Sequence, residues 1–113
     1  MKTNWKTAEQ YRWGDNCDGW HLLKQPGLSV IQERMPTGTS EVKHFHERAE
    51  QFFFVLQGSL CIEMNDEVHM LNPQEGMHIP PGTTHQVKNT SEKAAEFLVI
   101  SAPASHGDRV AVP

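Results

Sequence analysis

Long apolar runs, basic clusters and cysteine pairs are all scarce in this chain. No stretch approaches the roughly 20 apolar residues that a membrane-spanning helix needs, so no such span is expected. Lys and Arg together number 10 against 14 Asp and Glu, a net charge of −4, and no basic run occurs. That balance argues against nucleic acid and against an anionic membrane surface as partners. The only two cysteines, Cys17 and Cys61, lack metal-type spacing, so neither a disulfide framework nor a cysteine-bound metal is expected. Gly58-Ser59 and Gly76-Met77-His78 lack the glycine-rich pattern of a phosphate cradle. There is no Gly-x-Ser-x-Gly, and no cysteine is placed with a histidine as a nucleophile. Nothing apolar follows Met1-Lys2-Thr3-Asn4-Trp5-Lys6, so a secretory leader is not expected and the cytoplasm is the expected location.

What remains is a polar but foldable chain. Its 113 residues fit one domain, and 37% hydrophobic with 21% charged residues is too apolar and too mixed in sign for disorder. Punctuation by Gly, Pro and Asn is regular. Pro26-Gly27 precedes a β-branched run, Leu28 to Met35, and Pro36-Thr37-Gly38-Thr39 ends it. Further short runs follow: Gln51 to Leu56, Ser59 to Met64, Glu67 to Leu71, Gly76 to Pro80, His85 to Lys88 and Ala95 to Ser101. No segment from Gly38 to Ser101 carries a helix period, so the spacing predicts an all-β sandwich or barrel. Residues 1–27 read as an arm with one or two short strands, 28–103 as the barrel and 104–113 as a polar C-terminal tail. The run Gln51 to Leu56 is apolar on both faces beyond Gln51, which predicts cover on both sides and makes a homodimer the expected assembly.

Seven histidines stand out. His44 and His46 are two apart, so an extended segment turns both to one face, where two imidazoles can share a metal ion. His85 follows a tight turn at Pro80-Pro81-Gly82. His78, on the strand leading to that turn, is an acid–base candidate, although a barrel-surface or core position is the commoner fate of such a residue. His69 is expected to face solvent, His21 to be structural, and His106 to lie in the tail away from the site. Phe45, Phe53, Val55, Met64, Met77 and Ile79 are expected as core or pocket wall, and Cys61 as a small buried hydrophobe.

These residues form a pattern: Gly38, His44-x-His46, Gln51, Gly58, then Pro80-x-Gly82-x-x-His85-x-x-x-Asn89, with fifteen residues between Gly58 and Gln74. The pattern resembles the two motifs of the cupin superfamily and covers about Gly38 to Ser101. The resemblance implies an antiparallel barrel of six to eight strands, a jelly roll, with one divalent transition metal (Fe, Mn, Ni or Zn) at its open end. Carried over by position, the ligands are His44, His46, His85 and the Gln51 slot. Two departures stand out. The family's acid is replaced by Gln51, with Glu50 as an adjacent alternative that strand alternation turns to the other face. Gln74 stands where the second motif begins with Gly, and Gly76 is the residue expected to relieve that turn. An amide in place of a carboxylate leaves a divalent ion its full charge, which favours anionic or chelating ligands.

Fold does not determine reaction. The resemblance implies a small-molecule ligand and favours a metal-dependent enzyme, a dioxygenase-like oxidoreductase ahead of a sugar or keto-acid isomerase. No basic cluster lies near the motifs to hold a sugar phosphate. A non-catalytic binding or sensing module is the alternative.

Overall fold

Turn residues set where the strands stop. The computed structural model describes residues 1–105 and 107–113, and among them eleven strands and no helix occur. In chain order these are β1 (Glu9–Trp13), β2 (Cys17–Gln25), β3 (Leu28–Met35), β4 (His44–His46), β5 (Glu50–Gln57), β6 (Leu60–Met64), β7 (Glu67–Leu71), β8 (Gly76–Ile79), β9 (His85–Lys88), β10 (Ala95–Ala102) and β11 (Arg109–Ala111). Among the described residues no helix is long and apolar enough to cross a membrane. The β6–β7 hairpin turns through Asn65 and Asp66, both at positive φ, as a two-residue primed turn requires. Gly58 sits at φ +75° with its missing Cβ only 2.4 Å from the Ala94 carbonyl oxygen, so no side chain fits there.

The strands form two antiparallel sheets, one ordered β1-β2-β3-β10-β5-β8 and the other β11-β4-β9-β6-β7. This is the expected jelly-roll architecture, built as two facing sheets rather than one closed barrel. The core lies between them: Met35, Phe53, Val55, Phe97 and Val99 from the first sheet, and Leu60, Ile62, Leu71 and Val87 from the second. Each such side chain contributes roughly 1.5–3 kcal/mol when fully buried. Val55, Phe53 and Ile79 are core, as expected, with Met64 and Met77 packed against it. Cys17 and Cys61 are buried free thiols.

The arm over residues 1–27, expected to hold one or two short strands, supplies β1 and β2, with β2 hydrogen-bonded onto β3 in the same sheet. Two other segments differ from their sequence reading. The tail over 104–113 supplies β11, paired with β4. Its polar residues hid that strand, because Asp108 is buried and accepts the Arg48 and Ala49 backbone N–H groups at 3.0 and 2.8 Å. At the second motif, Gln74 itself takes φ +69°, while its N–H donates to the Val55 carbonyl; Gly76 does not supply the left-handed residue. Gly76 instead leaves room for the Phe52 ring, whose nearest atom would lie 2.4 Å from an added Cβ. Phe52 and Phe54 stack on the outer face of the first sheet, with Phe52 exposed.

Candidate metal centre

Three imidazoles meet on the inner face of the second sheet. Alternation along β4 turns His44 and His46 inward, where both are buried. The turn before β9 docks on the same strand: Gly82, at φ +72°, donates its N–H to the His46 carbonyl at 2.7 Å. That contact brings His85 into register opposite His44. Ring centroids are 4.5 Å apart for His44 and His85, 5.0 Å for His44 and His46, and 6.1 Å for His46 and His85. One nitrogen from each ring lies within 4.8 Å of the other two, a group that can hold a metal ion.

Backbone carbonyls select the tautomers. His44 Nδ1–H donates to the Val42 carbonyl at 2.7 Å, and His85 Nδ1–H to the Thr83 carbonyl at 2.9 Å. Each bond leaves the opposite nitrogen, Nε2, with its lone pair, and this partner on the far nitrogen is what orients a ligating imidazole. His85 Nε2 and His46 Nδ1 are buried without a hydrogen-bond partner among the described residues. Burial, more than the neighbouring imidazoles and Arg109, lowers the pKa of all three rings, His44 to about 3. They are therefore neutral at physiological pH. Buried nitrogens without partners cost about 1–3 kcal/mol each unless something satisfies them, and a cation held among the three rings would do so.

Gln51 reaches the same cavity from the opposite sheet. Its register partner on β10 is Ser101, whose Oγ accepts from Gln51 Nε2 at 3.1 Å. The bond orients the amide and leaves Oε1 buried with no partner among the described residues. The alternative residue, Glu50, lies on the outer face. Its carboxylate is 3.0 Å from His78 Nε2, and both side chains are more than half exposed. Strand parity thus removes both Glu50 and His78 from the cavity, because Phe52 pairs with His78 across β5 and β8. His69 is half-buried while its neighbours Val68 and Met70 are exposed, the reverse of the expected facing. His21 packs against the Tyr11 ring at 4.9 Å. His106 lies outside the described residues. Asn89 of the motif is structural: its amide donates to the Met35 and Lys93 carbonyls and its oxygen accepts from Ser91.

The polar residues that line the cavity, of roughly 520 Å³, and that the sequence reading passed over include Tyr11, Glu33, Glu41 and Arg109. Tyr11 donates its hydroxyl to Glu33 Oε2 at 2.8 Å. Burial pushes Glu33 up to about 7 and Glu41 to about 8, with Glu33 adding to the rise at Glu41. Glu41 Oε1 stands 3.8 Å from His44 Nδ1, and Arg109 Nη2 is 4.0 Å from Glu41 Oε2 and 3.3 Å from the Val42 carbonyl. A signal for Glu33 was present: on β3 it shares the inner parity of Ser29, Ile31 and Met35, so a carboxyl falls in an apolar row. Arg109 gave no such signal, since its strand was read as tail.

Comparison with known proteins agrees with this fold. A family model described as "Cupin domain" matches residues 31–101. An oxidoreductase of Arthrobotrys oligospora is 32% identical over 94 residues, 82% of this chain and 37% of that protein. The quercetin 2,3-dioxygenase of Bacillus subtilis is 29% identical over 59 residues, 52% of this chain and 18% of that protein. The chain thus spans little more than a third of the length of the fungal relative. The polyketide cyclase RemF of Streptomyces resistomycificus superposes with a TM-score of 0.84 at 18% identity, covering 100% of this chain and 85% of that one, a likeness of fold alone.

Proposed function

The chain belongs to the cupin family, and on that premise we propose that His44, His46 and His85 hold one divalent transition metal, Fe, Mn, Ni or Zn, with Gln51 Oε1 as the fourth protein ligand. The observation that carries this reading is the set of buried atoms without a partner among the described residues: His85 Nε2, His46 Nδ1 and Gln51 Oε1. The donor set suits the ion, because neutral imidazole nitrogens accept all four metals and the amide adds an oxygen.

The function we propose is that of a metal-dependent enzyme acting on a small oxygen-rich or anionic ligand, with a dioxygenase-like oxidoreductase as the leading form. When bound, the ion supplies Lewis acidity and, as iron, redox chemistry toward dioxygen. The chain's own residues do the rest. Gln51 adds no negative charge, so the site keeps its attraction for an anionic chelating ligand. Phe53 and Val99 give the cavity an apolar wall, which limits water around the bound molecule. The oxidoreductase and dioxygenase names of the two relatives support this form, although each match covers a minority of its protein.

The test is oxygen uptake by iron-loaded protein over a panel of chelating hydroxy and keto acids. Uptake that depends on both iron and ligand supports the oxidoreductase. Tight metal and ligand binding without uptake contradicts it and leaves a binding module or an isomerase.

A further inference from the structure

One row across three strands builds a second chemical group into the cavity. Tyr11 on β1 stands in register with Gly19 on β2, and Gly19 with Glu33 on β3. A Cβ on Gly19 would lie 2.2 Å from the Tyr11 ring, so the ring occupies the space a side chain would fill. Lying across that gap, Tyr11 reaches the strand beyond its neighbour and donates to Glu33 Oε2 at 2.8 Å. Both residues line the cavity that holds His44, His46 and Gln51. Tyr11 and Gly19 fall outside the segment that matches the family model, residues 31–101. An apolar residue at position 33 would continue the row of Ile31 and Met35 without the cost of burying a carboxyl.

We propose that Glu33 is the general acid–base residue of this cavity and that Tyr11 is its positioning residue. The proposal rests on the metal-site reading above. With a ligand held at the imidazole cluster, the Glu33 carboxylate takes a proton from a ligand C–H or O–H bond. The electron pair of that bond stays on the ligand, and Glu33 later returns the proton to it. The pair takes no net electrons, so no oxidant or reductant enters this step. The groups whose charge bears on Glu33 are Tyr11 from β1, Cys17 from β2, Glu41 from the segment between β3 and β4, and Arg109 from β11, and His21, His44 and His46 line the same cavity. Burial raises Glu33 to about 7 while the Tyr11 hydrogen bond and Arg109 oppose the rise, a balance suited to taking and giving a proton near neutral pH.

The experiment uses the full chain loaded with zinc and follows exchange of the C3 protons of pyruvate and 2-oxobutanoate into D2O by proton NMR. Zinc content is measured on every sample. Wild type is expected to exchange protons, and Glu33→Gln to be about 100-fold slower or more at equal zinc content. Tyr11→Phe should keep exchange but move the midpoint of its pH–rate profile upward by about half to one unit, since the carboxylate loses a donor. A purely structural Tyr11 would leave that midpoint in place. Glu33→Gln exchanging within about threefold of wild type overturns the proposal, as does zinc-bound wild type that exchanges neither probe. Wild type that fails to bind zinc overturns the metal-site reading instead. The metal-free protein is expected to show two infrared carboxyl components titrating near neutral pH, those of Glu33 and Glu41, and Glu33→Gln should lose one of them. Glu33→Gln with both components intact counts against Glu33.

Discussion

Replacing Glu33 by Gln should change how stability depends on pH. Burial raises the Glu33 carboxyl from 4.5 to about 7. Below pH 4.5 it is neutral in both folded and unfolded chains and contributes nothing. As pH rises from 4.5 to 7, the unfolded chain ionises first, so the folded state loses stability, and the loss is complete above 7. At about 1.4 kcal/mol per unit, the full effect is about 3 kcal/mol. The amide introduced by Glu33→Gln cannot ionise, yet its carbonyl still accepts from Tyr11, so the variant lacks this slope. The imidazoles act in the opposite sense. Their folded pKa values lie below the usual range, so they cost stability as pH falls through about 6.5. That slope is common to both proteins and cancels in the difference. Burying the new amide adds a cost of about 1–3 kcal/mol that does not vary with pH, so the readout is the change with pH and not the offset. Urea unfolding of metal-free protein by tryptophan fluorescence at pH 5, 6, 7 and 8 measures it. Glu33→Gln should gain about 2–3 kcal/mol on wild type between pH 5 and 8. Parallel curves would refute the burial argument for Glu33.

Other perturbations bear on the turn and on the fourth ligand. Gln74→Gly relieves a left-handed φ of +69° and keeps the N–H bond to Val55; a gain of roughly 0.5–1 kcal/mol is expected in thermal unfolding. Ser101→Ala frees the Gln51 amide and should weaken zinc binding about 10-fold by isothermal titration. Gln51→Glu adds a carboxylate to the cluster, so manganese affinity should rise and azide affinity of the loaded protein fall, each read by competition titration.

Legibility of the sequence followed the strength of local constraint. β3, β7 and β9 begin and end where turn residues and alternation placed them, and Gly58 and Gly82 mark turns that only a left-handed residue completes. The three imidazoles were readable because a two-residue spacing and a turn-bound histidine are local signals. Parity alone separated Gln51 from Glu50. The same rule failed for His69, because Val68 and Met70, although apolar, face outward on the edge strand β7. Arg109 reaches the cavity through the pairing of β11 with the remote β4, and Glu41 through its backbone bond to Val87, contacts that no local window contains; Tyr11 sits on the local β1–β2 hairpin, and its reach across Gly19 to Glu33 on β3 is what the sequence hid. Glu33 was the exception, a charged residue on buried parity that a strand-by-strand check of facing would have exposed.

Zinc stoichiometry measured by equilibrium dialysis and elemental analysis bears most directly on the convergent imidazoles. Wild type should bind about one ion per chain, and the triple variant His44→Ala, His46→Ala, His85→Ala should bind about a tenth of that or less while keeping its β-sheet circular dichroism. A folded triple variant that retains the wild-type metal content would contradict the account.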